Sequence, residues 1–235
     1  MQTVVDFHSH ILPCVDDGSA SLEQSIQMLQ TMASQGIKQV VATPHFYAKH
    51  DKPEKFLRKR AEAEQLLRAE MKKYPQMPEL YIGCEVYYFN GISDSDILQD
   101  LTINNSKYIL IEMPMPPWNE RIYRELENIW IKQDLIPVVA HIDRYIGPWR
   151  THRIPDRLDK LPVKIQANAA FFLDKSTRSM AFRMLRRHRI HLLGSDCHDM
   201  TDRAPNLGDA LKAIENKLGQ DVISFIQSEE RRILK

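Results

Sequence analysis

The sequence has few of the features that mark secreted, membrane-embedded or nucleic-acid-binding proteins. Its three cysteines are widely separated and form no CxxC pair, which is typical of a reducing compartment. No signal-peptide pattern is present, and no apolar run approaches the roughly 20 residues that span a bilayer. A net charge of +1 gives no electrostatic reason to expect nucleic acid as a partner. We therefore expect a cytoplasmic protein that is not membrane-embedded.

The chain also lacks a linker rich in glycine, serine or proline, and it has no low-complexity segment. Its hydrophobic content of 43% and charged content of 27% are ordinary for a globular protein, and its length suffices for a substantial core. A single domain over residues 1–235 is the simplest interpretation of these observations.

Short β-rich runs alternate with longer helical patterns. Seven runs predict strands, at Thr3–Phe7, Ile37–Thr43, Glu79–Val86, Lys107–Met113, Ile136–Ala140, Leu161–Ala167 and Ile190–Gly194. Helices are predicted close to 21–36, 53–73, 120–133, 174–187, 206–217 and 221–234. Continuous apolar strands separated by helices favour an α/β fold with a parallel sheet covered on both faces.

Histidines and carboxylates stand at or just beyond the carboxyl ends of these strands. The set comprises His8, His10, His45, Glu85, Glu112, His141, Asp196 and His198. In a closed (β/α) barrel those ends surround one mouth, whereas an open sheet would spread the same residues along a line. Convergence on one centre therefore favours a barrel.

The HxH motif suits a metal ion, because residues two apart in an extended segment point to the same side. Imidazole and carboxylate donors without thiolates are appropriate to Mn²⁺, Zn²⁺ or Fe. The donors exceed the three or four ligands of one catalytic ion, so two or three divalent ions are predicted. Glu85 or Glu112 would bridge neighbouring ions.

Seven motifs in order resemble one known superfamily. They are HSHILP-x-VDDG, ATPH, the glutamate of GCEVYY, IEMP, AHIDRY, QAN and SDCHD. Together they are similar to the polymerase and histidinol phosphatase (PHP) superfamily, and within it to the metal-dependent protein-tyrosine phosphatases of bacterial capsular and exopolysaccharide systems. The likeness extends from residue 6 to about residue 203.

The resemblance implies a distorted (β/α)7 TIM-like barrel that usually holds three metals, with manganese commonly the activating ion. The implied metal ligands are His8, His10, Asp16, His45, Glu85, Glu112, His141, Asp196 and His198. Asp17 is an alternative to Asp16, since the two are adjacent. The implied basic site residues are Arg144 and Arg203. The implied substrate is phosphotyrosine in the tyrosine-rich tail of a bacterial tyrosine kinase that regulates polysaccharide export.

Some residues depart from the family pattern without removing a ligand. AHIDRY stands where relatives commonly have AHPERY, and SDCHD stands where they have SDAHN. Cys14 replaces a usual glycine. These differences affect the expected shape of the loop around Cys14 and the expected role of Asp199 beside the ligands.

The predicted reaction is hydrolysis of a phosphoric monoester by metal-activated hydroxide, with the ions and an arginine stabilising the charge on phosphorus oxygens. Two alternatives stay open at the level of sequence. One is a PHP phosphatase for a small phosphoester such as histidinol phosphate, and the other is a non-catalytic metal-binding regulatory domain.

A rival mechanism is suggested by Cys197 and Arg203, which have the C-x5-R spacing of cysteine-nucleophile tyrosine phosphatases. Such a loop wraps backbone N–H groups around phosphate. Here the intervening residues include Asp199 and Asp202 and no glycine, so two carboxylates would oppose the anion. We interpret the spacing as coincidental.

Two further groups of residues have open roles. Aromatic residues after strand ends are expected either to wall a phenyl ring or to pack under loops: Tyr87, Tyr88, Phe89 and Trp118. Histidines outside the motifs are expected to be surface or supporting groups: His50, His152, His188 and His191. Among these, His50 follows His45 closely enough to face substrate.

Overall fold

The computed structural model describes residues 4–146 and 153–234. The strands of this part are β1 Val5–Ser9, β2 Gln39–Ala42, β3 His45–Phe46, β4 Glu79–Ile82, β5 Glu85–Tyr87, β6 Tyr108–Glu112, β7 Ile136–Val139, β8 Lys164–Asn168 and β9 Leu192–Gly194. Its α-helices are α1 Leu22–Ser34, α2 Pro53–Met71, α3 Glu120–Gln133, α4 Arg153–Leu158, α5 Ala169–Leu173, α6 Arg178–Arg186, α7 Leu207–Leu218 and α8 Gln220–Ile233.

Every strand pairing is parallel. The strand order is β1-β2-β4 in one sheet and β3-β5-β6-β7-β8-β9 in the other. Each predicted strand has its counterpart, although Thr3 of the first lies outside the described residues. The α/β alternation predicted from the apolar runs is therefore confirmed.

One bend follows the second predicted strand, and another interrupts the third. The second, predicted at Ile37–Thr43, corresponds to β2, and β3 beyond Thr43-Pro44 was not predicted; the third breaks into β4 and β5 at Gly83-Cys84. Proline lacks the N–H that a ladder requires, but its carbonyl still accepts a hydrogen bond from the Glu85 N–H at 3.1 Å. Gly83 N donates to the Ala42 carbonyl at 2.9 Å. Hydrogen bonding thus continues through the bend, which links the two sheets.

The outer strands β1 and β9 meet at the carboxyl ends of the strands. The Asp196 N–H donates to the His8 carbonyl at 2.7 Å, and the His10 N–H donates to the Cys197 carbonyl at 2.9 Å. A Cβ at Gly194 would lie 2.5 Å from the Cβ of His8, so only glycine permits this approach. These contacts close the curled sheet into a barrel at its mouth.

A small apolar cluster supports the curl. It joins side chains from β1, β2, β6, β7 and β9 to Ile233 of α8. A larger cluster lies between the strands and the surrounding helices. Because β1 and β6 belong to different sheets and are not neighbours, their side chains share a cluster only when the strands curl around it.

Helix ends follow the local signals in the sequence. Ser21 accepts a hydrogen bond from the Gln24 N–H at 3.1 Å, and the Gln24 side chain accepts one from Ala20 N at 2.6 Å. α1 ends just before Gly36, which adopts a φ of +85°, and α2 has Pro53 in its first turn. The helix predicted at 174–187 is shorter and preceded by α5, while α4 was not predicted.

Candidate metal centre

The predicted ligands lie together at the mouth of the barrel. His8 belongs to β1, Glu112 ends β6, and His45 and Glu85 begin the short segments after the bends. His10 follows β1 directly and is fully buried. The bends therefore place side chains at the mouth that a straight strand would carry past it.

Two further predicted residues adopt strained backbone conformations. His141 follows β7 with a φ of 29°, and Asp196 follows β9 with a φ of 55°. Left-handed backbone is unfavourable for residues with a Cβ, and it recurs at functional sites where the surrounding structure enforces it. Both side chains are turned into the same cluster.

The tightest group of donors contains His8, His10, Glu85 and Asp196, whose candidate ligand atoms lie within 4.8 Å of one another. Nε2 of His8 and Nε2 of His10 are 3.1 Å apart, and each is 3.5 Å from Asp196 Oδ1. Glu85 Oε2 lies 3.0 Å from His8 Nε2 and 3.3 Å from His10 Nε2. Four donors thus converge on one point.

Glu85 connects this group to a second one. Its Oε1 lies 2.7 Å from His141 Nε2, and its Oε2 lies 3.2 Å from His45 Nδ1. Glu112 joins them, since its Oε2 is 3.8 Å from His45 Nδ1 and its Oε1 is 3.6 Å from His141 Nε2. Glu85 therefore has the position expected of a carboxylate shared between neighbouring ions.

The two adjacent aspartates occupy different places. Asp16 Oδ2 lies 2.6 Å from His10 Nδ1 and accepts the His45 backbone N–H at 2.8 Å. Asp17 Oδ1 lies 3.6 Å from His45 Nε2 and 3.6 Å from His198 Nε2. The candidate ligand atoms of His10, Asp17, His45 and His198 form a third group. Asp16 does not belong to any of the three groups of candidate ligands found among the described residues. His141 is also outside them, but its Nε2 contacts Glu85 and Glu112.

Two arginines line the same mouth. Arg144 pairs with Glu112 at 3.2 Å and with Asp196 Oδ2 at 2.8 Å. Arg203 pairs with Asp196 Oδ1 at 2.7 Å. Their side chains are 36% and 37% exposed, so a ligand entering from solvent can reach both guanidinium groups.

Burial and close charges shift the pKa values of the cluster. Burial opposes ionisation of Glu85 and Asp196, but the imidazoles around them outweigh it and hold both pKa values well below their usual range. Burial, followed by the positive charges of His10 and Arg203, lowers the pKa of His198 to about 4. Burial likewise lowers the pKa of His45. At His8 and His10 burial acts in the same sense, but the nearby carboxylates outweigh it and raise the pKa of both imidazoles. Metal ions bind ionised carboxylates and neutral imidazoles, so binding at His8 and His10 would displace their ring protons.

The donor set fits divalent metal ions. Bonds of about 2.1 Å in a tetrahedral site separate neighbouring donor atoms by about 3.4 Å, which matches the 3.0 to 3.5 Å spacings in the first group. Nε2 of His198 is buried and has no hydrogen-bond partner among residues 4–146 and 153–234. A buried polar atom without a partner is costly unless a ligand engages it.

Residues that the sequence analysis did not assign hold the ligands in place. Gln166 Oε1 accepts the His141 N–H at 2.6 Å and lies 3.2 Å from His8 Nδ1. Asn168 Nδ2 donates to Asp196 Oδ2 at 2.8 Å. Both belong to the QAN motif, whose position at the end of β8 was the available signal. Asp199 caps its loop by accepting the N–H groups of Thr201 and Arg203.

Cys197 lacks the environment of a nucleophile. Its side chain is fully buried, and burial, reinforced by the charge of Asp6, raises the pKa of its thiol well above the usual value. Reactive cysteines instead have a lowered pKa and access to substrate. The structure thus supports the interpretation of the C-x5-R spacing as coincidental.

The aromatic residues after strand ends separate into two kinds. Tyr88 and Trp118 are buried, and Trp118 Nε1 donates to the Pro114 carbonyl, so these two pack under loops. Tyr87 is 37% exposed and lies 5.7 Å, between ring centroids, from Tyr47. The Tyr47 ring lies 5.1 Å from that of His45. Tyr47 was not predicted, although its position two residues after His45 places it on the same side of an extended segment.

The histidines outside the motifs also differ. His50 is exposed and lines a cavity together with His45. His188 stacks on Phe225 with 4.1 Å between ring centroids, and His191 Nδ1 accepts the Ile165 N–H. His152 lies outside the described residues.

Comparisons of sequence and fold relate this chain to known proteins. Residues 4–234 match the model of the family described as capsular polysaccharide synthesis, CpsB/CapC. The tyrosine-protein phosphatase CpsB of Streptococcus agalactiae serotype V is 28% identical over 228 residues, which cover 93% of this chain and 92% of that protein. The tyrosine-protein phosphatase YwqE of Bacillus subtilis is 27% identical over 245 residues, which cover 98% of this chain and 91% of that protein.

A solved structure shows the same fold. It comes from a study of YwqE from Bacillus subtilis and CpsB from Streptococcus pneumoniae, described as unique metal-dependent tyrosine phosphatases. The TM-score is 0.84 at 24% identity, with 98% of this chain and 94% of that chain covered. The likeness confirms the predicted PHP-type α/β barrel.

Proposed function

Because the chain belongs to the capsular polysaccharide synthesis CpsB/CapC family, we propose that it is a metal-dependent phosphatase that hydrolyses phosphotyrosine on a protein. The observation that carries the proposal is the convergence of imidazoles and carboxylates at a mouth that also presents Arg144 and Arg203. The names of the similar proteins support tyrosine phosphatase activity.

We propose two or three divalent ions, with Mn²⁺ as the activating one and Zn²⁺ or Fe as compatible alternatives. The ligands in this proposal are His8, His10, Asp17, His45, Glu85, Glu112, His141, Asp196 and His198. Asp17 takes the place first assigned to Asp16 because its carboxylate faces two imidazoles. Asp16 would instead hold His10 through Nδ1, as carboxylates do for metal-bound histidines. Bound ions would supply charge compensation and lower the pKa of water towards neutrality.

The protein's own contribution is to bind and orient the phosphoryl group. Arg144 and Arg203 both contact Asp196, which holds their guanidinium groups at the edge of the cluster. Planar guanidinium groups recognise phosphate oxygens in a bidentate manner. Charge that develops on those oxygens during in-line displacement would be stabilised from this side.

The substrate proposal extends to a phosphorylated protein tail. Tyr47 and Tyr87 form an aromatic edge next to His45, and aromatic rings pack favourably against a phenyl group. The tyrosine-rich tail of a bacterial tyrosine kinase is the partner expected from the resemblance, and we propose it as the substrate.

A single catalytic domain over residues 1–235 and a cytoplasmic location also stay predictions. Among the described helices, none is long and apolar enough to cross a membrane.

The deciding experiment combines metal analysis with turnover of a phosphotyrosine peptide before chelation, after chelation and after Mn²⁺ is restored. We expect chelation to abolish turnover, Mn²⁺ to restore it, and kcat/KM for the peptide to exceed that for histidinol phosphate. Glu85→Gln should lose both metal and activity, whereas Glu64→Gln, on the outer helix α2, should lose neither. Turnover that persists in chelator, or a preference for histidinol phosphate, would contradict the proposal.

A further inference from the structure

A cavity of about 580 Å³ adjoins the metal centre and is not used by the proposed chemistry. Its lining includes Asp17, His45 and Tyr47 together with Lys52, Lys55 and Lys59. A ligand bound at the metal centre would therefore extend directly into a space bordered by lysines.

The acidic groups of this cavity are already engaged. Asp16 accepts hydrogen bonds from His10 and from the His45 backbone. Asp51 accepts the Tyr47 N–H at 2.7 Å, and Asp17 faces the imidazoles of the third donor group. The carboxylates are thus directed to structural and ligand roles on one side of the cavity.

Among the described residues, one of the three lysine side chains is engaged in a hydrogen bond, and the other two are not. Lys59 Nζ donates to the Val15 carbonyl at 2.9 Å and so holds the loop that carries the two aspartates. Lys52 and Lys55 are exposed and form no ion pair or hydrogen bond with any described side chain. Two ammonium groups are therefore available to a ligand beside the metal centre.

Resting on the proposed function, we propose that this cavity is a second anion subsite, which binds a carboxylate or phosphate group located close to the phosphotyrosine in the substrate polypeptide. A space of about 580 Å³ that borders both the metal centre and these lysines is roughly 10 Å across. An extended peptide covers that length in about three residues. The subsite therefore selects substrates with an acidic group within about three residues of the phosphotyrosine.

The test uses the Mn²⁺-loaded full chain and four phosphotyrosine peptides that differ only in flanking residues: glutamate, glutamine, lysine, or a second phosphotyrosine. For the wild type we expect the glutamate or doubly phosphorylated peptide to exceed the glutamine peptide by about fivefold in kcat/KM, expressed mainly in KM, because exposed ion pairs contribute modestly. Whichever peptide gives the larger preference identifies carboxylate or phosphate as the natural group.

The variant for the test is the double charge reversal Lys52→Glu with Lys55→Glu, and Lys52→Gln with Lys55→Gln is the neutral comparison. The reversal should remove the preference and favour the lysine-flanked peptide, while turnover of a small aryl phosphate stays unchanged. Lys72→Glu, near the far end of the same helix, is the matched control and should keep the wild-type preference.

Three results would overturn the inference: equal kcat/KM for the glutamate and glutamine peptides, no response to charge reversal, or equal loss on the aryl phosphate. Failure of the proposed function looks different, because the wild type would then hydrolyse none of the four phosphotyrosine peptides. In that case equilibrium binding of the same four peptides decides the subsite, and equal Kd values for the glutamate and glutamine peptides would overturn it.

Discussion

The buried carboxyl group of Glu230 gives a quantitative prediction about stability. Glu230 lies on α8 at 2% exposure, and its Oε1 accepts the Val5 N–H at 3.1 Å. Burial raises the pKa of this carboxyl group to about 8 from an ordinary value of 4.5. The nearby positive charge of Arg231 acts in the opposite direction but is outweighed.

The sign of the effect follows from proton binding. Between about pH 4.5 and pH 8 the folded protein keeps the Glu230 proton while the unfolded chain has lost it. Stability therefore falls as pH rises through this window. The cost reaches about 3 kcal/mol at pH 7, since each pKa unit corresponds to about 1.4 kcal/mol.

Glu230→Gln should remove this cost, because a glutamine amide is neutral at every pH and its oxygen can still accept the Val5 N–H. Relative to the wild type, we expect the variant's free energy of unfolding to rise by about 3 kcal/mol between pH 5 and pH 8. Equilibrium urea unfolding at the two pH values measures it. The comparison at each pH cancels the titration of the metal centre, which both proteins share.

Glu229→Gln is the matched control one residue away. Glu229 pairs with Lys164 and Arg232, so its substitution should lower stability at both pH values. An equal stability difference between Glu230→Gln and the wild type at pH 5 and pH 8 would refute the reasoning about the buried carboxyl group.

Four further outcomes are expected. Asp17→Asn should lower metal content measured by mass spectrometry, whereas Asp16→Asn should keep most of the metal and lower kcat; the reverse order would reassign the two residues. Arg144→Lys should lower kcat/KM by about tenfold through loss of bidentate phosphate contacts, and an unchanged value would remove this residue from the site. Cys197→Ser should retain most phosphatase activity, and complete loss with metal still bound would revive the cysteine mechanism. Gly194→Ala should destabilise the fold by about 1 to 3 kcal/mol in urea unfolding, because its Cβ would overlap that of His8.

Most of the candidate ligands could be predicted from the sequence, because they stand at the ends of predicted strands. The period of two in an extended segment brings His8 and His10 to one side, and the predicted exits of the strands locate Glu112 and His141. The parallel α/β order then places these exits at one mouth. The residue types alone also show that the donor atoms are nitrogen and oxygen and not sulfur.

Other features depend on tertiary geometry that residue patterns do not encode. Asp16 and Asp17 have the same chemistry, and only the path of their loop directs one to His10 and the other to His45 and His198. Residue patterns also do not show that strand pairing resumes beyond Thr43-Pro44, where β3 follows β2. Trp118 follows a strand as Tyr87 does, but its indole N–H is satisfied by a backbone carbonyl beneath a loop. The tertiary packing around each side chain, and not its position in the sequence, therefore determines its role.

The seam between β1 and β9 has a consequence for biosynthesis. Ser195 N donates to Asp6 Oδ1 across 189 positions of the chain, and residues beside this seam supply three of the four donors of one group, His8, His10 and Asp196. A nascent polypeptide on the ribosome therefore carries His8 and His10 through most of translation before Asp196 exists. An ion held by this group would join the earliest and latest parts of the barrel to each other.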